Sequence, residues 1–513
     1  MNRKVTRRGN SSSIVFFIFV GFLSIFLGLV CSVVSAVYAV MMLTIIVFIG
    51  IILYRYQFGV WIMLTSLPFV YTNFMPHQIL GVKGLNPLNL FILITGFSMF
   101  LFQITKPDQF KLLTIPKPLK YYLFMITLAA LGGSFFAHKS FPILDPNGVY
   151  VYMTAPLYIM DYYVKPIVIV IVAYMVGLYA LNNNSAKILI WGQLTCYCLL
   201  FVILTFVILR SGISLSMLAS PKGRSLLTWT GMHANELGLF FNFGLAFFLF
   251  SFLSVDGGWQ RFWLFIGALC CGMMALVSFS RGAFLGLIFT GLYYFFTRRQ
   301  IKPLIYGSIA LIAILLLLPN EVYLRMSEGF TGVGGGAKDV SAGRIESIWM
   351  PLFPEFFNSP IWGHGLSSTL WADPIISGKV PIRPLPSHPH SAYLGVLLDF
   401  GLIGVVVVFY FFSSMWRLFR GVMKTYPDKF WRGYFEGASV CVLIFLVQGL
   451  TDDRFTPTSP QVYLWFAYGL GIGLMNRLGA NLNAPASPAR QTGKIHPQGQ
   501  RLRRFKTTQM ASG

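Results

Sequence analysis

The chain has 513 residues, of which 56% are hydrophobic, 16% aromatic and only 11% charged, with a mean hydropathy of +0.69. Soluble domains carry about 25% charged residues, so this composition excludes a soluble globular protein and describes an integral membrane protein. The net charge of +23 would suit a nucleic-acid binder. However, Lys and Arg fall in the short gaps between apolar runs and in the two tails, as the positive-inside rule expects, and no nucleic-acid partner is expected.

Met1 to Ser13 is polar and basic (Arg3, Lys4, Arg7, Arg8), and an apolar run then extends from Ile14 to Tyr54. That run is long enough for two spans of about 20 residues each, which favours a mature cytoplasmic tail over a cleaved signal peptide. Further apolar runs follow at 58–75, 88–105, 119–137, 163–181, 187–209, 236–254, 262–279, 282–297, 303–318, 391–413, 435–451 and 461–477. Together they predict an all-α polytopic bundle of about 12–14 transmembrane helices, because backbone groups in lipid must be satisfied within each segment. The six cysteines (Cys31, Cys196, Cys198, Cys270, Cys271 and Cys441) all lie inside apolar runs. They read as free thiols among helices, without a disulfide framework or metal spacing.

Alternating the spans places Lys106 to Lys120, Arg298 with Arg299 and Lys302, and Arg417 to Arg432 on the cytoplasmic side, together with both termini. The organisation expected is a basic tail (1–13), N-terminal helices (14–210), central helices with an Arg motif (211–318), one large periplasmic loop (319–390), C-terminal helices (391–478) and a basic, disordered tail (479–513). Four gaps fall outside. His138 to Asp161 carries the turn signal Asp145-Pro146-Asn147-Gly148. Arg210 to Asn235 holds Arg224 and ends in His233-Ala234-Asn235-Glu236; Pro319 to Pro389 dominates; Asp452 to Gln461 is short.

The large loop opens on Gly332-Val333-Gly334-Gly335-Gly336-Ala337-Lys338, which lacks the order of a phosphate-binding P-loop and reads as a hinge. Gly343-Arg344-Ile345-Glu346-Ser347-Ile348-Trp349 reads as the start of an amphipathic helix, and Ser359-Pro360-Ile361-Trp362-Gly363-His364-Gly365-Leu366 as a turn. The loop closes on His388-Pro389-His390-Ser391, where Pro389 keeps the chain out of regular helix and Ser391 can cap the helix that follows. An imidazole at a helix N-terminus is favoured in its neutral, proton-accepting form, and the same position suits an anion. The plain alternative for His390 is a loop residue that merely anchors. His388-x-His390 lacks a third ligand at sensible spacing, so no metal site is expected.

Within the membrane runs, Ser278-Phe279-Ser280-Arg281-Gly282-Ala283-Phe284-Leu285-Gly286 interrupts two spans so briefly that Arg281 must sit at or just below the outer surface. A charge there faces a cavity, pairs with an anion, or snorkels to the interface. Arg344 has the alternative of a surface salt bridge with Glu346 or Glu355. Asp399, nine residues into the helix after His390, is about 13 Å deeper by helical rise and reads as a packing or gating acid. Asp452-Asp453-Arg454 reads as a self-neutralised interfacial cluster.

His390-Ser391, nine residues, Gly401, two residues, Gly404 resembles the His-[Asn/Ser/Gln]-x9-Gly-x-x-[Gly/Thr/Tyr] signature of bacterial O-antigen ligases, at the place where that family carries it. The Gly-Arg helix, the Pro-x-x-Gly-x-Gly turn and Arg281-x3-Leu285 are similar to further motifs of the same family. The resemblance is close over about residues 220–405 and rests on layout elsewhere. It implies a glycosyltransferase of the inner membrane that takes its glycan from undecaprenyl pyrophosphate and delivers it to lipid A core, another glycan or a protein, without a cofactor. It implies His390 as catalytic base and Arg281, Arg344 and Arg224 as ligands of the donor pyrophosphate, with His388, Ser391 and Asn235 in support. A polymerase or a protein O-oligosaccharyltransferase of the same superfamily stays open, and so does a flippase. The Arg-x10-Gly motif of some polymerases is not found at the outer-loop Arg344, and the chain lacks the paired halves usual in transporters.

Overall fold

The computed structural model describes residues 46–66, 69, 78–79, 82–83, 86–144, 150–214, 217–218, 220–299, 344–378, 388–450 and 454–483. The expected spans at 14–45 and 303–318, the loop before Arg344 and both tails lie outside them. The architecture is a polytopic helix bundle: α1 (Tyr56–Ser66), α2 (Pro87–Thr105), α3 (Lys117–Phe136), α4 (Ala155–Asn182), α5 (Lys187–Ser211), the short α6 (Pro221–Leu227), α7 (Ala234–Ser254), α8 (Gly258–Val277), α9 (Arg281–Arg298), α10 (Met350–Asn358), α11 (Ala392–Thr425), α12 (Lys429–Gln448) and α13 (Val462–Asn483). Eight of the described helices are long and apolar enough to cross a membrane. Two two-residue antiparallel ladders complete it: Gln78–Ile79 with Val82–Lys83, and Ile143–Leu144 with Tyr150–Val151. The second flanks the turn expected at Asp145 to Gly148, which lies outside the described residues.

Helix bounds follow the apolar runs, with two informative differences. The helix expected from residue 163 begins at Ala155, after Thr154 caps it and Pro156 occupies its first turn. A π-helical stretch, Ile159–Val164, continues it. Asp161 and Lys165 cut the apolar run but lie one turn apart and pair at 2.6 Å, so the helix passes through them. α11 runs to Thr425, well past residue 413, because Arg417, Arg420 and Lys424 lie on turns beyond the apolar stretch.

The core centres on α7, which packs against α8, α9 and α12; Phe240, Phe241, Phe243, Phe247, Phe248 and Phe250 are all at 0% exposure. Lipid tails are as apolar as these side chains, so helix association depends on close packing and interhelical bonding rather than on exclusion from water. Small residues supply the closeness. A Cβ on Gly433 or Gly437 of α12 would fall 2.5 or 2.4 Å from the Phe250 or Ala246 carbonyl oxygen of α7, and one on Gly469 or Gly473 of α13 would strike the Ala173 or Gly177 oxygen of α4. Both pairs are Gly-x3-Gly, the spacing that lets two backbones touch. Aromatic groups fill the rest, as where Phe411 stacks on Trp465 at 5.4 Å and on Tyr122 at 4.3 Å.

Candidate active site

The site begins with a break in α11. Gly401 has φ 63° and ψ −161°, a conformation essentially confined to glycine, so the helix unwinds there. Two i→i−4 bonds are lost, those from Leu402 and Ile403 to the Leu398 and Asp399 carbonyls. The Ser359–Leu366 turn replaces both. Leu402 and Ile403 N–H donate to the Pro360 and Ile361 carbonyls at 2.9 and 3.3 Å, while the Leu398 and Asp399 carbonyls accept from His364 and Gly365 N–H at 2.8 and 3.1 Å. These four backbone groups are therefore all bonded, as a low-dielectric interior requires. The backbones approach so closely that a Cβ on Gly401 would lie 2.4 Å from the Ile361 carbonyl carbon, and one on Gly363 2.4 Å from that of Asp399. The turn is also tied to α3, through Leu366 N–H donating to the Ala129 carbonyl at 3.0 Å, and to α4, through the Tyr158 hydroxyl donating to the Leu366 carbonyl at 2.5 Å.

Asp399 has a defined task at this break. Its Oδ1 accepts from both Ser368 N–H and Ser368 Oγ at 2.8 Å, which fixes the segment after the turn against α11. Residues 344–378 also carry a small core of their own, in which Ile348, Leu352, Ala372 and Ile375 pack on Leu394 and Leu398 of α11. The helix expected after Gly343 is present: Arg344 heads a π-helical turn, Ile345–Trp349, that runs into α10. Trp349 then reaches back, its Nε1–H donating to the Pro389 carbonyl at 2.8 Å.

Pro389 separates two imidazoles that face each other. His388 Nε2 lies 3.1 Å from His390 Nδ1, and the rings stand 4.2 Å apart at 63°. His390 occupies the left-handed region at φ 52°, uncommon for a residue with a Cβ. Ser391 caps α11 by accepting from Leu394 N–H at 3.4 Å. His388 lines a narrow cleft whose other walls include Ser367, Asp399, Arg454 and Thr456. Arg454 lies over the Tyr162 ring at 5.0 Å, with Nη1 3.5 Å from Ser367 Oγ.

The second group of expected residues converges on Asn235. Its Oδ1 accepts from Arg224 Nη2 at 3.1 Å and from Ser280 Oγ at 2.9 Å. Ser280 caps α9, whose first residue is Arg281. Asn235 stands in the first turn of α7, which His233 and Glu236 close as a capping box, with His233 N–H donating to Glu236 Oε2 at 2.7 Å. One side-chain oxygen thus ties the last turn of α6, the first turn of α7 and the N-cap of α9 together.

The two groups are joined by consecutive residues at the end of α12. Gln448 Nε2 donates to the Gly282 carbonyl at 2.7 Å, next to Arg281. The Gly449 carbonyl accepts from Ala392 N–H at 2.8 Å, two residues past His390. The N-termini of α7, α9 and α11, the C-terminus of α12 and that of α3 therefore share one end of the bundle. The opposite end carries the ion pairs Arg298–Glu436, Lys429–Asp256 and Lys187–Asp428 and, among the described residues, most of the remaining Lys and Arg.

Every expected site residue thus falls at this end: Arg224 and Asn235 in one network with Ser280, Arg281 next to that serine, and His388, His390 and Ser391 at the start of α11. Arg344 heads the segment that Trp349 ties to Pro389. Gln448 and Gly449 were not foreseen; an amide and a glycine ending an apolar run carry little signal in a sequence. Arg454 was read as self-neutralised with Asp452 and Asp453, which lie outside the described residues, yet it also lines the His388 cleft. Among the described residues no group of three or more His, Cys, Asp or Glu is arranged to hold a metal. Residues 266–409, from α8 through the break in α11, match the model of a protein family described as O-antigen ligase. No curated protein matches the chain.

Proposed function

The chain carries an O-antigen ligase domain at residues 266–409 and is an O-antigen ligase-like membrane protein, and from that premise we propose that it transfers a glycan from undecaprenyl pyrophosphate to an acceptor hydroxyl at the periplasmic face of the bacterial inner membrane. Membership implies a ligase-type glycosyltransferase of cell-surface polysaccharide biosynthesis; the donor, the acceptor and the orientation are our reading. The orientation rests on the distribution of charge, since the end opposite the site is the basic one, and basic ends stay in the cytoplasm. Both termini are then cytoplasmic.

The observation that carries the mechanism is the joining of the imidazole pair to the Arg281 turn through Gln448 and Gly449. Transfer needs a base on one side of the anomeric carbon and positive charge on the other. His390 Nε2 takes the proton of the acceptor hydroxyl, and the oxygen attacks the anomeric carbon. The bond from that carbon to the pyrophosphate oxygen then breaks, and the lipid pyrophosphate leaves with the electron pair. Arg281, Arg224 and Arg344 stabilise the developing charge as forks of N–H donors. Attack opposite the leaving group inverts the anomeric centre.

The imidazole contact makes a demand on this scheme. For Nε2 of His390 to accept a proton, Nδ1 must carry one and donate it to His388 Nε2. His388 then selects the tautomer, as the partner of a catalytic imidazole commonly does. Purified protein offered lipid-linked glycan, with lipid A core, a second lipid-linked glycan and a protein as rival acceptors, tests the proposal. A glycosidic product on one of them is expected and identifies the acceptor. No product on any acceptor, with glycan moved across proteoliposomes instead, would replace transfer with transport.

A further inference from the structure

A second cavity lies on the far side of the Ser367–Thr369 segment from the His388 cleft. It is open to solvent on one side and offers about 220 Å³, somewhat under the roughly 300–1,000 Å³ usual for sites that take drug-sized ligands and so on the scale of a small sugar unit. Its walls come from the end of α3 and the turn after it (Phe136, Lys139), from α10 and the turn after it (Glu355, His364) and from the segment holding Trp371 and Asp373. Phe136 and Trp371 stack at 6.2 Å, forming an aromatic wall, and Lys139 Nζ stands 5.3 Å from the Phe136 ring. His364 Nε2 is 2.8 Å from the Glu355 carbonyl, which can only accept, so Nε2 carries a proton and, in the neutral ring, Nδ1 is an acceptor.

The lining discriminates between ligand classes. Two carboxylates against one ammonium disfavour a polyanion, and the polar rim disfavours an acyl or prenyl chain. A neutral polyhydroxylated molecule suits it, with hydroxyls donating to Asp373, Glu355 and His364 Nδ1, accepting from Lys139, and C–H faces against the aromatic wall. Ser368 and Leu398 line this cavity, while Ser367, Thr369 and Asp399 line the His388 cleft. The Ser368–Asp399 bonds form the partition between the two. A glycan with its reacting end at His390 therefore finds a second saccharide surface on the other side of three residues.

We infer that this cavity is a saccharide subsite, holding sugar units remote from the bond that is made. The inference rests on the transfer reading for its purpose, and its ligand belongs either to the donor glycan or to a glycan acceptor. The test uses the full-length protein in detergent, as wild type and as the variants Asp373→Ala and Glu355→Gln. The second variant keeps the Glu355 backbone that holds His364. Oligosaccharide released from the lipid-linked glycan by mild acid is the binding probe, read by saturation-transfer NMR. Loss of one charge-assisted hydrogen bond should weaken binding about tenfold without moving the thermal midpoint, and raise the KM of one transfer substrate by a similar factor with kcat little changed. A shift in donor KM assigns the cavity to the donor glycan, and a shift in acceptor KM to the acceptor. Equal oligosaccharide binding by wild type and both variants, or unchanged KM values for both substrates, overturns the subsite. Absence of transfer by the wild type, with oligosaccharide binding that the variants weaken, would instead leave the subsite standing and reject the transferase reading.

Discussion

His388 Nε2 and His390 Nδ1 stand 3.1 Å apart across Pro389, so the protonation of one imidazole dictates the tautomer of the other. If His390 is the base, replacing it should cost about 10²–10⁴ in rate, whereas loss of a helix cap costs only about 1 kcal/mol in stability. His390→Ala should therefore abolish transfer from purified lipid-linked glycan at normal expression. His388→Ala should be milder, and His388→Gln milder still, because a glutamine oxygen can accept the Nδ1 proton of His390. Full activity in His390→Ala removes it from the mechanism; equal losses in the two His388 variants remove the tautomer argument.

Arg281 heads α9 behind the Ser280 cap, and Ser280 shares Asn235 Oδ1 with Arg224. A pyrophosphate held by guanidinium forks is poorly held by an ammonium point charge. Arg281→Lys should lose most transfer while the protein remains folded and inserted, and wild-type turnover would reduce Arg281 to a snorkelling residue.

Asn235→Ala should release Arg224 and raise donor KM more than it lowers kcat, since the amide touches no reacting atom. Steady-state kinetics with varied donor separate the two parameters. A fall in kcat alone would show that Asn235 acts on the chemistry instead.

Gly401 combines φ 63° and ψ −161° with a backbone neighbour 2.4 Å from any Cβ. Backbone strain alone should cost about 1–3 kcal/mol in Gly401→Ala, and the clash with Ile361 adds to it. Thermal unfolding in detergent should show a clear drop in midpoint, with transfer lost because the Pro360–Gly365 turn and the Asp399–Ser368 contact shift together. An unchanged midpoint would mean that the helix can close at Gly401 and that the break is dispensable.

Orientation is open to a direct measurement. A reporter fused after residue 350 should read as periplasmic and one at the C-terminus as cytoplasmic. The same side for both would make the number of spans after residue 350 even and deprive the site of its compartment.

The helices, the brief break between two of them ahead of Arg281 and the helix start at Ser391 were legible in the sequence because each depends on neighbouring residues. A run of about 20 apolar residues spans a bilayer wherever it occurs, and a serine ahead of a helix caps it locally. The resemblance carried by His390, Gly401 and Arg281 likewise lies in short spacings. Which elements those residues meet was a different matter. The Gly282–Gln448 bond joins positions 166 apart in the chain, and Asp399–Ser368 joins positions 31 apart. Asp399 was readable as an acid too deep to face His390, but not as the anchor of the turn that repairs α11. Arg454 read as neutralised by its own neighbours, but not as a residue that lies over Tyr162 beside the His388 cleft. Hydropathy records how much a segment prefers lipid to water and is silent on its partners within the bundle. Only the tertiary structure decided those, through backbones that approach at glycine and through polar groups that must find each other where no water is at hand to bond them.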